Sequence, residues 1–428
     1  MKQVKVGLVG LGTVGAGVAK LLAAGREPLA NRLGFALELA RACDVRPARG
    51  RELGLAPEIF TTDVADLLRT PGLTVVVELI GGIEPARTVI LTALRAGKHV
   101  VTANKALLAL HGPALFATAQ EMGVSLRCDA SVAGGIPILN VIDTCLTANH
   151  IPSLYGIING TSNFILTRMA ENGAALAAAL AEAQQLGFAE ADPTLDLNGH
   201  DAAHKLTVLA MMLHGQQVEF ASVYCEGIEG VTPTDIRHAA ELGYALKLLA
   251  IAKCGGDPAR LELRVHPTLV PADSPLASVR REYNAIFLTG DAVGSQMFYG
   301  KGAGEMPTAS AVLADILLIG RQLAPARTFY RAAPYAVTPL AELQTKYYLR
   351  FSTVDRPGVL GSLCTTLGEH GISISSCMQK EHQEATEYVH IVILTHTARE
   401  GSVRAALAAI DRMDITRQAS RFIRIELV

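Results

Sequence analysis

The sequence predicts an α/β protein that combines a doubly wound parallel sheet with a mixed α+β unit and a smaller C-terminal unit. Three observations carry this prediction. Strand and helix patterns alternate over roughly the first 130 residues, a glycine-rich turn follows the first strand, and the last 82 residues follow the order β, α, β, β, α, β. At 428 residues, the chain is long enough for about two to four domains.

Composition indicates a soluble protein with reduced cysteines. Half of the residues are hydrophobic, and the net charge of −2 gives no electrostatic argument for nucleic-acid or membrane partners. The seven cysteines form no CxxC pair, which fits free thiols in the cytosol. The N-terminal run lacks a signal-peptide cleavage site, and no run approaches the roughly 18 apolar residues of a membrane span. We therefore expect a cytoplasmic protein.

The first unit is predicted to span residues 1–135. Its opening strand is "VKVGLV" (4–9), and "AGVAKLLAAG" indicates a helix that ends at Gly25. Further strands are predicted at 35–45, 73–82 and 98–105, and helices at 84–96 and 111–122. Repeated βαβ order predicts parallel strands with right-handed crossovers.

The turn "GLGTVG" predicts a dinucleotide site of the Rossmann type. Gly10 allows a tight turn, Gly12 lets the backbone approach a pyrophosphate, and Gly15 permits close helix packing. Thr13 and Val14 open the helix, whose N-terminus favours an anion. A glycine-rich turn without a ligand is the alternative, and the surrounding strand, helix and βαβ repeat make it much less favourable.

The second strand ends in two residues that point to different cofactors. Asp44 would accept a hydrogen bond from the ribose 2′-hydroxyl of NAD, whereas Arg46 would pair with the 2′-phosphate of NADP. Asp44 stands 29 positions after Gly15, more than the usual spacing of about 20, because of an insertion around "GREPLANRLG" (25–34). The choice between NAD and NADP stays open.

The fourth strand ends in "TANKALL", which contains Thr102 and Lys105. Ligands of open α/β sheets bind beyond the carboxyl ends of the strands. Both residues are therefore candidates for contact with cofactor or substrate, and a surface lysine that caps a loop is the alternative.

A second unit is predicted over residues 136–302, as a mixed sheet with helices. Its predicted elements are helices at 174–188, 201–214 and 234–254 and strands at 261–270 and 283–290. The apolar helix of 301–323 should return to the first unit, which would be completed by about 303–330. A linker at 331–346 then leads to residues 347–428, whose element order is ferredoxin-like.

The stretch "DPTLDLNGHDAAHKL" (192–206) admits several interpretations. Asp201 and Lys205 are i and i+4 on one helix, as in an ordinary surface salt bridge. His200 and His204 have the same spacing, which resembles the histidine pair of zinc hydrolases. The zinc hypothesis leaves the glycine turn and Lys105 without a role.

A dehydrogenase reaction would give a role to more of the residues in this stretch. Hydride transfer to a carbonyl leaves negative charge on the oxygen, so a proton donor is needed there, and Lys205 could serve with Asp201 beside it. Glu190 and Asp196 could accept hydrogen bonds from a substrate ammonium group. This arrangement predicts an amino-acid-like substrate.

Six motifs follow one another along the chain: "GLGTVG", "TANKALL", "SVAGGIPI", "NGTSNFIL", "GFAEADPTLDLNGHDAAHKL" and "KGAGEMPTASAVLADI". Together they resemble homoserine dehydrogenases of the three-domain bacterial type, with a Rossmann domain, a mixed α+β domain for catalysis and dimerisation, and a C-terminal ACT domain. The resemblance implies NAD(P)-dependent interconversion of L-aspartate 4-semialdehyde and L-homoserine, in threonine, methionine and isoleucine biosynthesis. Outside catalysis, the alternative is a nucleotide and amino-acid sensor that binds without turnover.

The resemblance also implies roles for individual residues. The proton-donor lysine of the family falls on Lys205, with Asp201 beside it. The substrate carboxylates fall on Glu190 and Asp196, and Lys105 lies between cofactor and substrate. The glycine that approaches the nicotinamide corresponds to Gly302.

A structural sodium ion and an effector site are implied in the same way. The ion would be held by backbone carbonyls of Val132, Gly134 and Ile136, and Asp129 stands where the family has a glutamate ligand.

The ACT motif "STVDRPGVLGSL" places an amino-acid effector at the turn of Asp355, Pro357 and Gly358. The resemblance implies feedback inhibition by L-threonine and assembly into a homodimer or homotetramer. A domain retained only for assembly is the alternative.

Overall fold

A computed structural model describes the chain as two β-sheets with flanking helices. The described residues are 2–24, 35–254, 260–322, 336–379 and 388–426. The insertion at 25–34 and the first part of the predicted linker, 331–335, lie outside them. In these ranges, no helix combines the length and the hydropathy that a membrane crossing requires.

The first sheet is built from the N-terminal strands β1 (Lys2–Val9), β2 (Phe35–Cys43), β3 (Phe60–Thr61), β4 (Leu73–Glu78), β5 (His99–Thr102) and β6 (Leu126–Arg127). They pair in the order β3-β2-β1-β4-β5-β6, and every pair is parallel. The intervening helices are α1 (Thr13–Ala24), α2 (Arg49–Glu52), α3 (Val64–Leu68), α4 (Ala86–Arg95) and α5 (Lys105–Glu121). This arrangement confirms the predicted doubly wound parallel sheet.

The central strands of this sheet are covered on both faces. Val6 and Val75 on one face and Val76 and Val100 on the other are all fully buried, which explains why these strands are nearly continuous apolar runs. A later helix, Glu305–Gln322, packs on the same sheet, because its residue Ala309 belongs to the core that contains Val6.

The second sheet contains the remaining strands: β7 (Ser153–Ile157), β8 (Tyr224–Cys225), β9 (Tyr244–Cys254), β10 (Arg260–Pro271), β11 (Tyr283–Gly290), β12 (Gly294–Lys301), β13 (Ala336–Val337), β14 (Gln344–Thr353), β15 (Ile374–Gln379), β16 (Val389–Thr395), β17 (Ala398–Arg399) and β18 (Thr416–Ile425). Its main path runs β12-β11-β7-β9-β10-β18-β14-β16-β15. The remaining helices, of which α12 packs on the first sheet, are α6 (Ile138–Thr144), α7 (Gly160–Asn172), α8 (Leu176–Gln185), α9 (Thr194–Leu197), α10 (His200–His214), α11 (Pro233–Glu241), α12 (Glu305–Gln322), α13 (Val359–Glu369) and α14 (Glu400–Ile410). Short 3₁₀ turns occupy Asp129–Ser131, Phe220–Ser222, Pro275–Ser278 and Leu340–Glu342.

The predicted helix at 234–254 is wrong in its second half. Helix α11 ends at Glu241, and the chain reverses through Gly243, whose φ of +82° is left-handed. The run that follows is strand β9, which pairs antiparallel with both β7 and β10. A continuous apolar run is compatible with a buried strand as well as a helix, so periodicity does not separate the two.

The C-terminal unit has the predicted ferredoxin-like order, because β14, β15, β16 and β18 pair as β18-β14-β16-β15. Helices α13 and α14 cover this sheet, and Leu363 and Leu407 pack against Tyr347 and Phe351 in one core. Strand β18 also pairs with β10, which makes the C-terminal sheet continuous with that of the preceding unit.

Arg424 joins the C-terminal unit to the rest of the molecule at this seam. Its guanidinium is 1% exposed and donates to both carboxylate oxygens of Glu400, at 2.6 and 3.0 Å. Across the seam it donates to Glu226 at 3.0 Å and to the Tyr224 hydroxyl at 3.3 Å. A bidentate pair that is buried in this way depends on both partners.

Replacing Arg424 with alanine should lower the free energy of unfolding by about 3 kcal/mol, because the buried Glu400 loses its bidentate partner and keeps, among the described residues, only the half-exposed Arg404 as a cation. Thermal or urea denaturation measures the change. The control is Arg417→Ala, because Arg417 is exposed and on the same strand, and this change should cost about 0.5 kcal/mol or less. Equal stabilities of the two variants would contradict the proposed role of Arg424.

Candidate active site

The glycine turn has the shape that a pyrophosphate requires. Gly10 has φ +92°, and a Cβ atom there would lie 2.6 Å from the carbonyl oxygen of Leu79. A Cβ on Gly15 would lie 2.0 Å from the carbonyl oxygen of Gly10. A Cβ on Gly12 would meet nothing within 4 Å, so the space beside it is open at the start of α1, where Thr13 and Val14 lie. These residues therefore fit a dinucleotide.

Asp44 and Arg46 lie beside this turn and bind each other. The Leu11 backbone N–H donates to Asp44 at 2.8 Å, and the Arg46 guanidinium donates to both Asp44 oxygens at 2.9 and 3.1 Å. The hydrogen bonds from the Arg46 side chain, then those from the backbone, lower the pKa of Asp44 to about 2. Arg49, which the sequence did not single out, donates to the carbonyl oxygen of Leu11 at 2.7 Å. Two guanidinium groups therefore border the turn.

The carboxyl ends of β4 and β5 are held together by Glu78, which is fully buried. It accepts a hydrogen bond from the Thr102 hydroxyl at 2.7 Å and from the Ile80 N–H at 2.7 Å. Asn104 then caps α5 by accepting from the Leu107 N–H. Thr102 is therefore turned toward Glu78 rather than free, and the cap sets the direction in which Lys105 leaves the sheet.

Asp201 stands between two lysines. Its Oδ1 lies 2.9 Å from Nζ of Lys105, and its Oδ2 accepts from Nζ of Lys205 at 2.7 Å. Lys205 also donates to the carbonyl oxygen of Ile158 at 2.7 Å, at the end of β7. Asp201 and Lys205 are only 6% and 9% exposed. The pair is therefore not the surface salt bridge that the spacing alone suggests.

The pKa values of the two lysines are shifted in opposite directions. Burial lowers the pKa of Lys205, and Asp201 offsets this only in part. Burial also opposes the charge of Lys105, but Asp201 outweighs it and raises the pKa of Lys105. Two ammonium neighbours hold the pKa of Asp201 well below its usual range in spite of its burial. Lys205 is therefore the lysine that is more easily deprotonated, which suits a group that exchanges a proton.

Asn159 links Asp196 to this cluster. Its amide nitrogen donates to Asp196 Oδ1 at 2.6 Å and to Asp201 Oδ2 at 2.8 Å. Asp196 lies on the short helix α9, whereas Glu190 lies on an exposed loop and raises the pKa of Lys105 through its charge. The structure thus brings together the predicted Lys105, Asp201, Lys205 and Asp196, with Glu190 nearby.

Gly302 lies on the loop before α12, packed tightly between other residues. A Cβ there would lie 1.9 Å from the Asn284 amide nitrogen, so only glycine fits. A Cβ on Gly134 would lie 2.5 Å from the carbonyl oxygen of Gly302. The Gly302 loop and the expected sodium turn are therefore direct neighbours.

Two buried carboxylates lie at the expected sodium turn, Asp129 before it and Asp315 on α12. Asp315 accepts from the Asp129 N–H at 2.9 Å, and Asp129 Oδ1 accepts from the Asn140 N–H at 3.0 Å. Among the described residues, Asp129 Oδ2 is buried without a hydrogen-bond partner. The Ile136 carbonyl already accepts from the Ile138 N–H at 2.8 Å. Val132 is buried, and Gly134 has φ +46°.

His200 and His204 contact an aromatic ring rather than a metal-binding cluster. The His204 ring stacks on Phe220 at 4.4 Å, and the His200 ring lies 6.3 Å from the same residue. Within the described ranges, no group of three or more His, Cys, Asp or Glu side chains could hold a metal ion. The zinc hydrolase alternative is therefore not supported.

The predicted effector turn lies between β14 and α13. Asp355 and Pro357 are exposed, and Gly358 has φ +92° at the start of α13, where a Cβ would meet nothing within 4 Å. The left-handed conformation explains the glycine, and the turn is open to a small ligand.

Sequence reasoning missed Asn159 and Glu78. Asn159 precedes the helix "GTSNF", a position where asparagine commonly caps a helix, but its bonds to two carboxylates come from distant segments. Glu78 is a lone acidic residue at the end of the apolar run "LTVVVE", and a buried carboxylate in such a run needs partners.

Family models cover most of the chain. The NAD-binding domain of homoserine dehydrogenase matches residues 10–129, the homoserine dehydrogenase domain matches 137–317, and the ACT domain matches 347–414. The chain belongs to the homoserine dehydrogenase family. The resemblance predicted from sequence is confirmed, and the chain is an NAD(P)-dependent oxidoreductase of this family.

Relatives match over nearly their whole length. A homoserine dehydrogenase of Pseudomonas aeruginosa is 45% identical, over 97% of this chain and 96% of its own. The crystal structure of a homoserine dehydrogenase from Thiobacillus denitrificans has a TM-score of 0.93 and 43% identity, and covers 100% of this chain and 99% of its own. A hyperthermophilic archaeal homoserine dehydrogenase mutant in complex with NADPH has a TM-score of 0.63 and 26% identity. The match covers 74% of this chain and 97% of the archaeal chain.

Replacing Arg46 with alanine should change the affinities for NADPH and NADH by different amounts. The change removes a guanidinium and frees Asp44, so we expect NADPH affinity to fall about 10- to 100-fold while NADH affinity holds or rises. Fluorescence titration with each nucleotide measures both constants. The control is Arg51→Ala, because Arg51 is an exposed arginine on α2. Equal losses for the two nucleotides would contradict a contact between Arg46 and the 2′-phosphate.

Proposed function

We propose that this chain interconverts L-aspartate 4-semialdehyde and L-homoserine with NADP or NAD. The observation that carries the proposal is the Lys105–Asp201–Lys205 cluster at the carboxyl edge of the parallel sheet, in which Asp201 and Lys205 are buried. Membership of the homoserine dehydrogenase family supports the same substrate pair. The reaction belongs to the biosynthesis of threonine, methionine and isoleucine.

Asp196 and Glu190 bind the substrate ammonium in this proposal. Asp196 faces the lysine cluster through Asn159, and the Glu190 loop borders the same cluster. Carboxylate acceptors make charge-assisted hydrogen bonds with an ammonium group, whereas they repel a phosphate. This accounts for an amino acid as substrate.

Lys205 supplies the proton to the aldehyde oxygen and takes it back in the reverse direction. Its ammonium has three donors, of which Asp201 and the Ile158 carbonyl occupy two. The third is directed to the substrate oxygen, where negative charge develops. Gly302 would border the nicotinamide of a bound cofactor, which would supply or accept the hydride. Asp201 keeps Lys205 oriented, and the more exposed Lys105 lies between cofactor and substrate.

The glycine turn, with Thr13 and Val14, holds the cofactor pyrophosphate in this proposal. The position of Arg46 and Arg49 beside the turn supports a contact with the 2′-phosphate of NADP, and the complex of the archaeal relative contains NADPH. Asp44 could instead accept from the ribose of NAD once Arg46 moves. Both cofactors therefore stay in the proposal.

A sodium ion fits part of its expected turn. The buried Asp129 Oδ2, without a partner among the described residues, is an oxygen that a cation would satisfy. The carbonyls of Val132 and Gly134 would be further ligands, whereas the Ile136 carbonyl would have to share its existing hydrogen bond.

The ACT domain binds L-threonine as a feedback inhibitor in this proposal. The open turn of Asp355, Pro357 and Gly358 supports a small-molecule site, and Asp355 offers a carboxylate for the effector ammonium. We further propose that the protein acts in the cytoplasm as a homodimer or homotetramer.

Replacing Lys205 with alanine should lower kcat about 10²- to 10⁴-fold with little change in cofactor affinity, because only the proton donor is lost. The assay follows homoserine-dependent NADPH formation at 340 nm, with nucleotide affinity measured separately. A suitable control is Lys98→Ala, because Lys98 precedes β5 at the opposite end from Lys105. Unchanged turnover in the Lys205 variant would refute the mechanism, and a wild type that binds nucleotide without turnover would favour the sensor.

Asp355→Ala should abolish inhibition by L-threonine while leaving kcat unchanged, since Asp355 lies in the ACT domain outside the lysine cluster. Initial rates over a threonine series measure the inhibition constant. Glu369→Ala, at the exposed end of α13, serves as the control. Full inhibition of the Asp355 variant would place the effector elsewhere.

A further inference from the structure

Among the described residues, Asn159 is the one neutral side chain whose hydrogen bonds bridge Asp196 and Asp201. Its single NH₂ group donates one hydrogen bond to Asp196, at 2.6 Å, and one to Asp201, at 2.8 Å. Asn159 is only 5% exposed, so water does not readily replace these bonds. Both donors of the amide are therefore committed to carboxylates.

The orientation of this amide follows from the helix that it caps. The Asn159 Oδ1 atom accepts from the Ser162 N–H at 2.7 Å, at the first turn of α7. Because the oxygen faces a donor, the NH₂ group must face the two carboxylates, and the alternative flip would place an oxygen against them. The Ser162 hydroxyl also donates to the Asp196 carbonyl at 2.8 Å, which ties α9 to the same helix start.

A neutral double donor suits this position electrostatically. Asp196 faces Asp201 and Lys205 on α10, Lys105 on α5, and Thr161 at the start of α7. Burial, then repulsion from Asp201, raises the pKa of Asp196, and the Asn159 hydrogen bond opposes that rise. A lysine or arginine in place of Asn159 would neutralise Asp196 and compete with a substrate ammonium, whereas an aspartate would add repulsion.

We propose that Asn159 is a positioning residue that sets the Asp196 carboxylate at a fixed distance from the Asp201–Lys205 pair. This proposal rests on the proposed function, in which Asp196 binds the substrate ammonium and Lys205 exchanges a proton with its oxygen. One amide then aligns the two ends of the substrate, so the amino group and the reacting carbon are placed together. Asn159 itself contacts neither the amino group nor the reacting carbon.

Two variants separate this role from helix capping. Serine and aspartate are as good as asparagine at an N-cap, so Asn159→Ser and Asn159→Asp preserve the start of α7 while removing the NH₂ group. The control is Asn198→Ser, because the Asn198 side chain also accepts from a backbone N–H, that of His200, just before the neighbouring helix, and in the described part of the chain it makes no hydrogen bond to either aspartate.

We expect both Asn159 variants to raise KM for homoserine about 10- to 100-fold, with a smaller fall in kcat and an unchanged nucleotide affinity. The acid limb of the kcat/KM profile should move to higher pH, because Asp196 loses a hydrogen bond that stabilises its charged form. The shift should be larger for Asn159→Asp, which adds a like charge. Asn198→Ser should change neither quantity.

The outcomes separate the two proposals. An unchanged KM and an unchanged acid limb in both variants would overturn the role of Asn159 while leaving the proposed function intact. A wild type without homoserine turnover would overturn the proposed function instead. Thermal melting monitors folding, and loss of the folded state in both variants would make Asn159 a structural residue and overturn the proposal as well.

Discussion

A carboxylate buried between two ammonium groups is the interaction on which the rest of this structure depends. Asp201 contacts Lys105 and Lys205, and burying these charges is costly unless each finds its partners with good geometry. The partners come from separate elements, because Lys105 opens α5 after the parallel sheet and the Ile158 carbonyl follows β7. The cluster therefore forms only when the two sheets are correctly placed.

The C-terminal unit is connected through a short segment of chain to the helix that carries part of this cluster. Glu226 accepts from Arg424 of the C-terminal unit, and two residues later the Ile228 N–H donates to the Leu197 carbonyl at 2.8 Å. A Cβ on Gly227 would lie 2.0 Å from that carbonyl, so the segment packs directly on the turn before α10. A contiguous path of contacts therefore connects the ACT sheet to the helix that carries Asp201 and Lys205.

Much of the fold and part of the site could be predicted because they depend on local patterns. The glycine turn, the spacing of Asp201 and Lys205 on one helix, and the βαββαβ order at the C-terminus are all readable from short stretches. Strand β9 was mistaken for helix because an apolar run lacks a diagnostic period once both faces are buried. Asn159 was missed because its significance comes from carboxylates 37 and 42 positions away.

The sequence by itself determined the family, the cofactor class and the residues with ionisable groups, because these follow from chemistry and spacing along the chain. Only the tertiary structure decided how those groups behave. Burial makes the Asp201–Lys205 pair an internal ion pair, the approach of Lys105 from another element lowers the pKa of Asp201 further, and Asn159 joins Asp196 to both. Charge interactions depend on distance and on exclusion of water, and neither is encoded in the local spacing of residues.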